Sequence, residues 1–403
     1  MRRNIGYGLI IVGNINAPDN RFIKLIKISL LKKVAVIILN WNGLALLEKF
    51  LPSVCRYTNP ELADIIIADN GSDDNSIAWI QKNHPEVKIM AFPQNYGYAE
   101  GYNRAIKALE YEYVVLLNSD VEATPAWIEP LVEYCDKNTD VAACQPKLKA
   151  YRQKNYFEYA GAAGGFLDRY GYAFCRGRIF DTIEKDYGQY NSITDIFWAT
   201  GACLFIRRTE YLDAGGLDAD FFAHMEEIDL CWRVHLMGKR IVIIPQSTVY
   251  HLGGGTLNAS NPRKTYLNFR NNLLMLYKNL PLKEGKSLLF IRRLMDTAAM
   301  GKFLLSGEWE NVKAVWKAHI DYRKMKKRYN SQPRTNLLKN FPETNRNITV
   351  DYFLKKKRFF EKINSKKTIA PIFLIPHKSC YIPNISRPHD NNISVSFSDC
   401  PSA

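Results

Sequence analysis

Several short stretches of this chain carry residue types suited to chemistry on phosphates and hydroxyls. Asp69 follows an apolar run at residues 65–68 and opens the polar stretch Asn70-Gly71-Ser72-Asp73-Asp74. A carboxylate there can accept hydrogen bonds from a nucleotide's base or ribose. The same residue types also suit a turn that caps the next helix, so both readings stand. Asp120 closes Asn118-Ser119-Asp120 after the apolar run 114–117. A carboxylate so placed can stand beside a metal–diphosphate, because hard divalent cations prefer oxygen ligands. A polar turn is the alternative, and Asn118 occupies the place where a second acidic residue would strengthen the metal reading.

The stretch Met225-Glu226-Glu227-Ile228-Asp229-Leu230-Cys231-Trp232-Arg233 reads as one short helix. Glu226 and Asp229 share a face, and Arg233 lies four beyond Asp229. Glu227 projects about 100° away from Glu226. One carboxylate can therefore sit in an ion pair while its neighbour faces a cleft as a general base. An acidic helix start favoured by the macrodipole is the other reading. His251 precedes Gly253-Gly254-Gly255, which allows close approach of a ligand, and suits either a structural imidazole or a neutral metal ligand. Gly97 opens a helix whose N-terminus can face a phosphate. Its surroundings, residues 95–103, are neither G-x-G-x-x-G nor a P-loop, which disfavours a nicotinamide dehydrogenase or an NTPase.

These residues need elements to position them. Apolar runs at 34–39, 65–68, 87–91, 113–117 and 141–145 predict strands. They alternate with helical patterns at 44–57, 75–83, 97–110 and 125–137, the last with Pro125 near its first turn. That alternation predicts an α/β domain with a mostly parallel sheet, whose ligands bind beyond the carboxyl ends of the strands. Residues 147–200 read as a loop-rich insertion with short strands. A Gly-led turn at 200–202 enters a strand, 225–237 is a helix, and 241–244 is a strand leading to His251. Residues 287–305 and 309–329 read as amphipathic basic helices. In the first, Leu288, Leu289, Ile291, Leu294 and Met295 recur at helical spacing with Arg292, Arg293 and Lys302 between them. Such helices can lie on an anionic membrane surface or pack on the catalytic domain. Beyond about residue 365 the Ser, Asn and Pro content predicts poor order.

The 403 residues are 47% hydrophobic and 24% charged, which excludes a disordered, collagenous or disulfide-miniprotein chain. The net charge of +15 is uneven. Residues 34–282 hold 24 basic and 29 acidic residues, whereas 283–403 hold 24 and 10. A nucleic-acid-binding core would itself be basic, so no nucleic-acid partner is expected. The eight cysteines form no C-x-x-C pair, and Cys144, Cys203 and Cys231 lie in apolar segments, as in a reducing cytosol. No run of 18 uncharged apolar residues predicts a spanning helix. The apolar run 5–12 faintly resembles a signal peptide but is broken by Asn14, Asn16, Pro18 and Asp19, so the domain is expected to begin near Lys33. The organisation expected is an N-terminal extension (1–33), a catalytic domain (34–280), amphipathic basic helices (281–330) and a basic tail (331–403).

Taken in order, the motifs resemble glycosyltransferase family 2, of the bacterial rhamnosyltransferase-like kind. The residues that carry the resemblance are Val36-Ile37-Ile38-Leu39-Asn40-Trp41-Asn42-Gly43, Ala68-Asp69-Asn70-Gly71-Ser72, Asn95-Tyr96-Gly97-Tyr98-Ala99-Glu100-Gly101-Tyr102-Asn103 and Leu116-Leu117-Asn118-Ser119-Asp120. Thr200-Gly201-Ala202, Gly216-Leu217-Asp218, the Glu226–Arg233 stretch and His251 continue it across roughly 34–280. The resemblance implies the type A nucleotide-sugar fold, a mixed, mostly parallel sheet flanked by helices, here with a C-terminal helical, basic extension. It implies that Asp69 binds the nucleoside with Asn40 lining the same pocket, and that Gly97 and Asn103 flank the donor. It places a divalent metal, Mg²⁺ or Mn²⁺, on Asp120 with His251 completing the site. Glu227 takes the place of the catalytic base, with Glu226 and Asp229 orienting it or touching the acceptor. Two departures stand out: Asn118 replaces the first acid of the usual D-x-D, and Glu replaces the commoner Asp at 227. The implied reaction is inverting transfer from a nucleoside-diphosphate sugar, dTDP-rhamnose foremost, to a saccharide or polyprenyl-linked acceptor in cell-surface polysaccharide synthesis. The implied setting is cytoplasmic, peripheral on the inner face of the membrane. A nucleotidyltransferase and a non-catalytic membrane or nucleic-acid adaptor are the alternatives. The Glu227 helix followed by His251, and the intact carboxylates, speak against them.

Overall fold

The computed structural model describes residues 32–253, 261–329, 333 and 335–363. The expectations placed on the N-terminal extension, on Gly254 and Gly255, and on the chain beyond residue 363 fall outside the described residues.

Apolar runs become strands where both sheet faces are covered. β1 (Val34–Asn40), β2 (Ala63–Asp69), β3 (Lys88–Ala91) and β4 (Tyr113–Leu117) are such runs. They are linked by α1 (Leu44–Tyr57), α2 (Ser76–Asn83) and α3 (Tyr98–Ala108). The remaining strands are β5 (Val121–Ala123), β6 (Val141–Ala150), β7 (Gly165–Leu167), β8 (Ala173–Cys175), β9 (Arg178–Ile179), β10 (Thr182–Ile183), β11 (Thr194–Asp195), β12 (Cys203–Arg207) and β13 (Arg240–His251). The main sheet runs β11-β13-β6-β12-β4-β1-β2-β3, with β5 paired to β13. β4, β1, β2 and β3 are mutually parallel, while β12 runs antiparallel between β4 and β6. This is the mixed, mostly parallel sheet expected. Its register sets Asn40 directly beside Asp69. A second, small sheet, β10-β9-β8-β7, forms from the loop-rich insertion.

The other helices are α4 (Glu129–Lys137), α5 (Arg208–Asp213), α6 (Glu226–Leu236), α7 (Pro262–Asn279), α8 (Leu282–Leu305) and α9 (Trp309–Met325). Helix α4 begins four residues later than the helix expected at Pro125. Ala126 takes a left-handed φ of 54°, which breaks the helix there, and Pro130 supplies the first-turn proline instead. Ahead of it, β5 forms because it can pair with β13. Helix α7 escapes a hydrophobic-periodicity reading because its buried face carries Arg270, Asn271, Asn272, Lys278 and Asn279. Helix α8 departs from expectation in its inward residues. Arg292, expected on a solvated basic face, is buried against Asp296 and over the Tyr172 ring. Residues 335–363 pack back on the core: Phe360 lies against Phe166 and Phe174, and Phe341 against Phe197. None of the helices among the described residues is long and apolar enough to cross a membrane.

Candidate active site

The carboxyl ends of β1, β2 and β4 meet at one edge of the sheet, with the start of the antiparallel β12 among them. At β2, Asp69 is almost fully buried. Its Oδ1 accepts from Asn40 Nδ2 at 2.9 Å and from the Ser72 hydroxyl at 2.6 Å, and Oδ2 accepts from the Ser72 backbone at 3.0 Å. The turn reading of Asp69 is thus visible in the structure: the carboxylate ties the ends of β1 and β2 together. Asn40 Oδ1 is buried and without a hydrogen-bond partner. A Cβ on Gly43 would run into that same oxygen, so glycine is needed there. Asn70 links this edge to α3, donating to Gly97 O at 3.1 Å. Gly97 has a φ of 80° and lies against the Phe222 ring. Asn103 does something different from what the resemblance implies. Its amide accepts from Leu217 N and the Tyr211 hydroxyl and donates to Leu217 O, so it is committed to the 211–217 turn.

The second group is centred on His251. Antiparallel pairing of β13 with β5 sets His251 opposite Val121, beside Asp120. Its Nε2 lies 3.0 Å from Asp120 Oδ1, and its Nδ1 lies 3.2 Å from Glu158 Oε1. The second contact lacks good hydrogen-bond geometry, leaving Nδ1 unsatisfied. Burial alone would lower the imidazole's pKa, but the two carboxylates outweigh it and raise it to about 10. Burial likewise opposes ionisation of Asp120, and its bond to His251 reverses that, lowering its pKa. Glu158 is the residue that sequence reasoning missed. The only available signal was its isolation: it and Asp168 are the sole acidic residues of 147–180.

The fit of a divalent metal to this group can be judged from the donor atoms. Cations such as Mg²⁺ hold ligands at about 2.1 Å and right angles, which sets neighbouring ligands about 3 Å apart. Asp120 Oδ1 and His251 Nε2 stand at that separation. Glu158 behind Nδ1 supplies the carboxylate that orients a metal-bound histidine. The residues therefore fit. A different trio, Cys55, His84 and Glu86, has ligand atoms within 4.8 Å of one another, but it sits away from this edge, on α1 and beside α2.

The third group is α6. Phe222, His224 and Met225 precede it with left-handed φ values of 66°, 70° and 73°. Such conformations cost about 1 kcal/mol or more each unless held by their surroundings. Asn271 holds them, donating to the carbonyls of Phe221, Ala223 and His224. The loop thereby fixes how α6 enters. Asp229 is completely buried and bound by Arg233, Lys278 and Asn279. It faces the protein, as the Asp229–Arg233 spacing predicts. Glu226 shares the Asp229 side of the helix and Glu227 projects about 100° away from Glu226, and each has a buried Oε2 without a partner. Burial, and then Glu227, hold the Glu226 carboxyl well above the usual range. Burial raises Glu227 to about 7. Gly201 lies close to Glu227 Cβ and to Tyr98, whose hydroxyl donates to Gly201 O. The next residue, Ala202, accepts from Asn118 N through its carbonyl. The 200–202 turn thus lies between Glu227 on one side and the Asn118–Asp120 segment on the other. Asp69 borders the same edge through Asn70, Gly97 and Tyr98 without touching it.

Residues 35–202 match the profile of Glycosyl transferase family 2. The chain thus carries a stretch similar to glycosyltransferase family 2. The N-acetylglucosaminyl-diphospho-decaprenol L-rhamnosyltransferase of Mycobacterium tuberculosis is 26% identical over 223 residues, which are 51% of this chain and 71% of the relative. The poly-beta-1,6-N-acetyl-D-glucosamine synthase of Staphylococcus epidermidis is 27% identical over 215 residues, 53% of this chain and 48% of the relative. Among solved structures, S. aureus TarS in complex with UDP-GlcNAc aligns over 72% of this chain and 80% of its own, with a TM-score of 0.49 and 15% identity. The glycosyltransferase activity that the resemblance implies thus agrees with this match.

Proposed function

We propose that the enzyme moves a sugar from a nucleoside-diphosphate donor to a saccharide carried on a polyprenyl diphosphate, with inversion at the anomeric carbon. The observation that carries this reading is the set of buried polar atoms left without partners along one edge: Asn40 Oδ1, Glu226 Oε2 and Glu227 Oε2. Buried polar atoms are normally satisfied, so this cluster marks where a polar ligand completes the structure.

Glu226 and Glu227 divide the labour. Burial raises both carboxyls, and repulsion between them lets one ionise while the other keeps its proton; Glu227 is assigned the ionised role. Ionised Glu227 takes the proton of an acceptor hydroxyl. That oxygen bonds to the anomeric carbon as the bond from this carbon to the diphosphate breaks, and the nucleoside diphosphate departs. One base suffices, and no covalent sugar–enzyme intermediate forms. Asp120 and His251 would hold a divalent metal, with Glu158 orienting the imidazole. Bound there, the metal supplies positive charge to the departing diphosphate. Asn40, tied to Asp69, offers its free oxygen to the donor's nucleoside. The name of the mycobacterial relative pairs rhamnosyl transfer with a polyprenyl-diphosphate acceptor, which makes dTDP-rhamnose and such an acceptor the first combination to test.

The test incubates the purified chain with a panel of nucleotide sugars, Mn²⁺ and polyprenyl-diphosphate N-acetylglucosamine. Release of nucleoside diphosphate together with an elongated lipid supports the proposal. Release of pyrophosphate would move the enzyme to nucleotidyl transfer. Donor turnover confined to free sugars would remove the lipid-linked acceptor.

A further inference from the structure

Helix α8 is built the wrong way round for a helix packed on a soluble protein. A surface helix normally buries an apolar stripe and shows charge to water. Here the buried positions are Gly285, Arg292 and Asp296. Arg292 donates to Tyr170 O at 2.9 Å and to Asn272, and pairs with Asp296. Asp296 also faces His319 of α9 at 3.1 Å. The attachment to the protein thus centres on a polar lock, with Leu288 and Leu289 half-buried against the core beside it. The opposite side holds Phe290, Ile291, Leu294 and Leu305, which are 60, 40, 59 and 91% exposed. At 100° per residue these four fall within about 100° of one another around the axis.

Helix α9 buries an ordinary apolar side but also shows apolar residues outward. Trp309, Trp316 and Ile320, which are 61, 64 and 38% exposed, fall on one stripe, while Ala314, Val315, Ala318 and Tyr322 are buried. Cations border both stripes. Lys313 and Lys324 are 72 and 74% exposed, and Lys286, Arg293 and Lys317 are exposed as well.

We infer that the outward faces of α8 and α9 dock on an anionic lipid bilayer. The occupant has to accept apolar side chains at its centre and offer negative charge at the rim. A bilayer interface with acidic headgroups does both, and tryptophan favours that depth. A second copy of this chain would bring the same cations to the rim, so charge disfavours it. This surface stands on the polarity of the two helices alone, and goes beyond the acceptor proposed above.

The test is co-sedimentation of the full chain with vesicles of phosphatidylcholine alone, or of phosphatidylcholine and phosphatidylglycerol in equal parts, at low and high salt. Binding to the anionic vesicles that weakens in high salt is the expected result. Leu294→Asp with Trp316→Asp should abolish it without lowering the melting temperature. Lys313→Gln with Lys317→Gln should weaken it about 25-fold, from about 1 kcal/mol for each basic residue at an anionic surface. Failure to bind anionic vesicles, or equal binding to neutral ones, overturns the inference. So does elution as a dimer that the Asp variants dissociate. None of these readouts involves transfer, so the acceptor proposal can fail separately.

Discussion

One turn of α6 separates two very different treatments of acidic side chains. Asp229 is surrounded: Arg233, Lys278 and Asn279 all bind it, and Lys278 also binds Asp218 at 2.7 Å, where Tyr329 adds a hydroxyl. Glu226 and Glu227, on the preceding turn, are removed from water but each keeps an oxygen without a partner. Burial is common to both places, and pairing is what differs. Where partners are complete, the charge is fixed and the group serves the architecture. Where they are missing, the proton becomes movable near neutral pH. The same helix therefore anchors itself with one carboxylate and keeps two others available.

The sharpest way to break this contrast is at Glu227. Glu227→Gln should lower transfer about a thousandfold, the typical share of a general base. Donor affinity and thermal stability should hold, because a neutral isostere suits a buried site. In the unsubstituted enzyme the rate should rise with pH through about 7, the value burial gives this carboxyl. A limb near pH 4.5 would mean that another group is the base.

Next in size is Lys278→Met, which leaves Asp218 and Asp229 buried without their shared cation. A loss of about 3–5 kcal/mol in denaturant unfolding is expected, as for other broken buried pairs. Acid should act in the same direction. Burial alone would raise Asp218, yet Lys278, Arg233 and Tyr329 lower it to about 2. A carboxylate lowered from its unfolded value contributes stability that is full above about pH 4 and lost as pH falls toward 2. If Lys278→Met unfolds like the parent, the paired half of the contrast is wrong.

The metal prediction concerns His251, which must lose its proton to become a ligand. Mn²⁺ affinity by titration calorimetry should therefore tighten about tenfold per pH unit between pH 6 and 8, below the raised value of this imidazole. A flat profile would remove His251 from the ligand set. The smallest effect is expected at Gly43→Ala, where the added methyl meets Asn40 Oδ1. Donor affinity should fall while folding loses only about 1–3 kcal/mol, the usual cost of overpacking.

Much of the α/β core was legible in the sequence because strands buried on both faces are written as unbroken apolar runs. Helix α1 matches its pattern from Leu44 to Tyr57, and β4 from Tyr113 to Leu117. The grouping of Asp120 with His251 was legible through the resemblance, and Asp229–Arg233 through helical spacing. What stayed hidden depends on partners distant in sequence. Glu158 matters only because the 147–200 insertion folds back along β6, where Glu158 N donates to Leu148 O. Asn103 reads as a donor contact until Leu217 is seen to occupy its amide. Helix α7 hides because its inward side mixes Leu267, Leu274 and Met275 with Arg270, Asn271, Asn272, Lys278 and Asn279, whose partners lie elsewhere in the chain, so the apolar periodicity is interrupted.

The long strand β13 carries one further consequence. Its pairing with β6 shifts between Ile244 and Thr248, so Pro245, Gln246 and Ser247 bulge out of the ladder before the strand resumes toward His251. Successive side chains on a strand point to opposite faces. If the bulge keeps its length, removing a single residue from it would advance the strand's last segment by one place and present Leu252 to Asp120 in place of the imidazole. Length at residues 245–247 is therefore a constraint on the chemistry, and an indel there should be far less tolerable than a substitution.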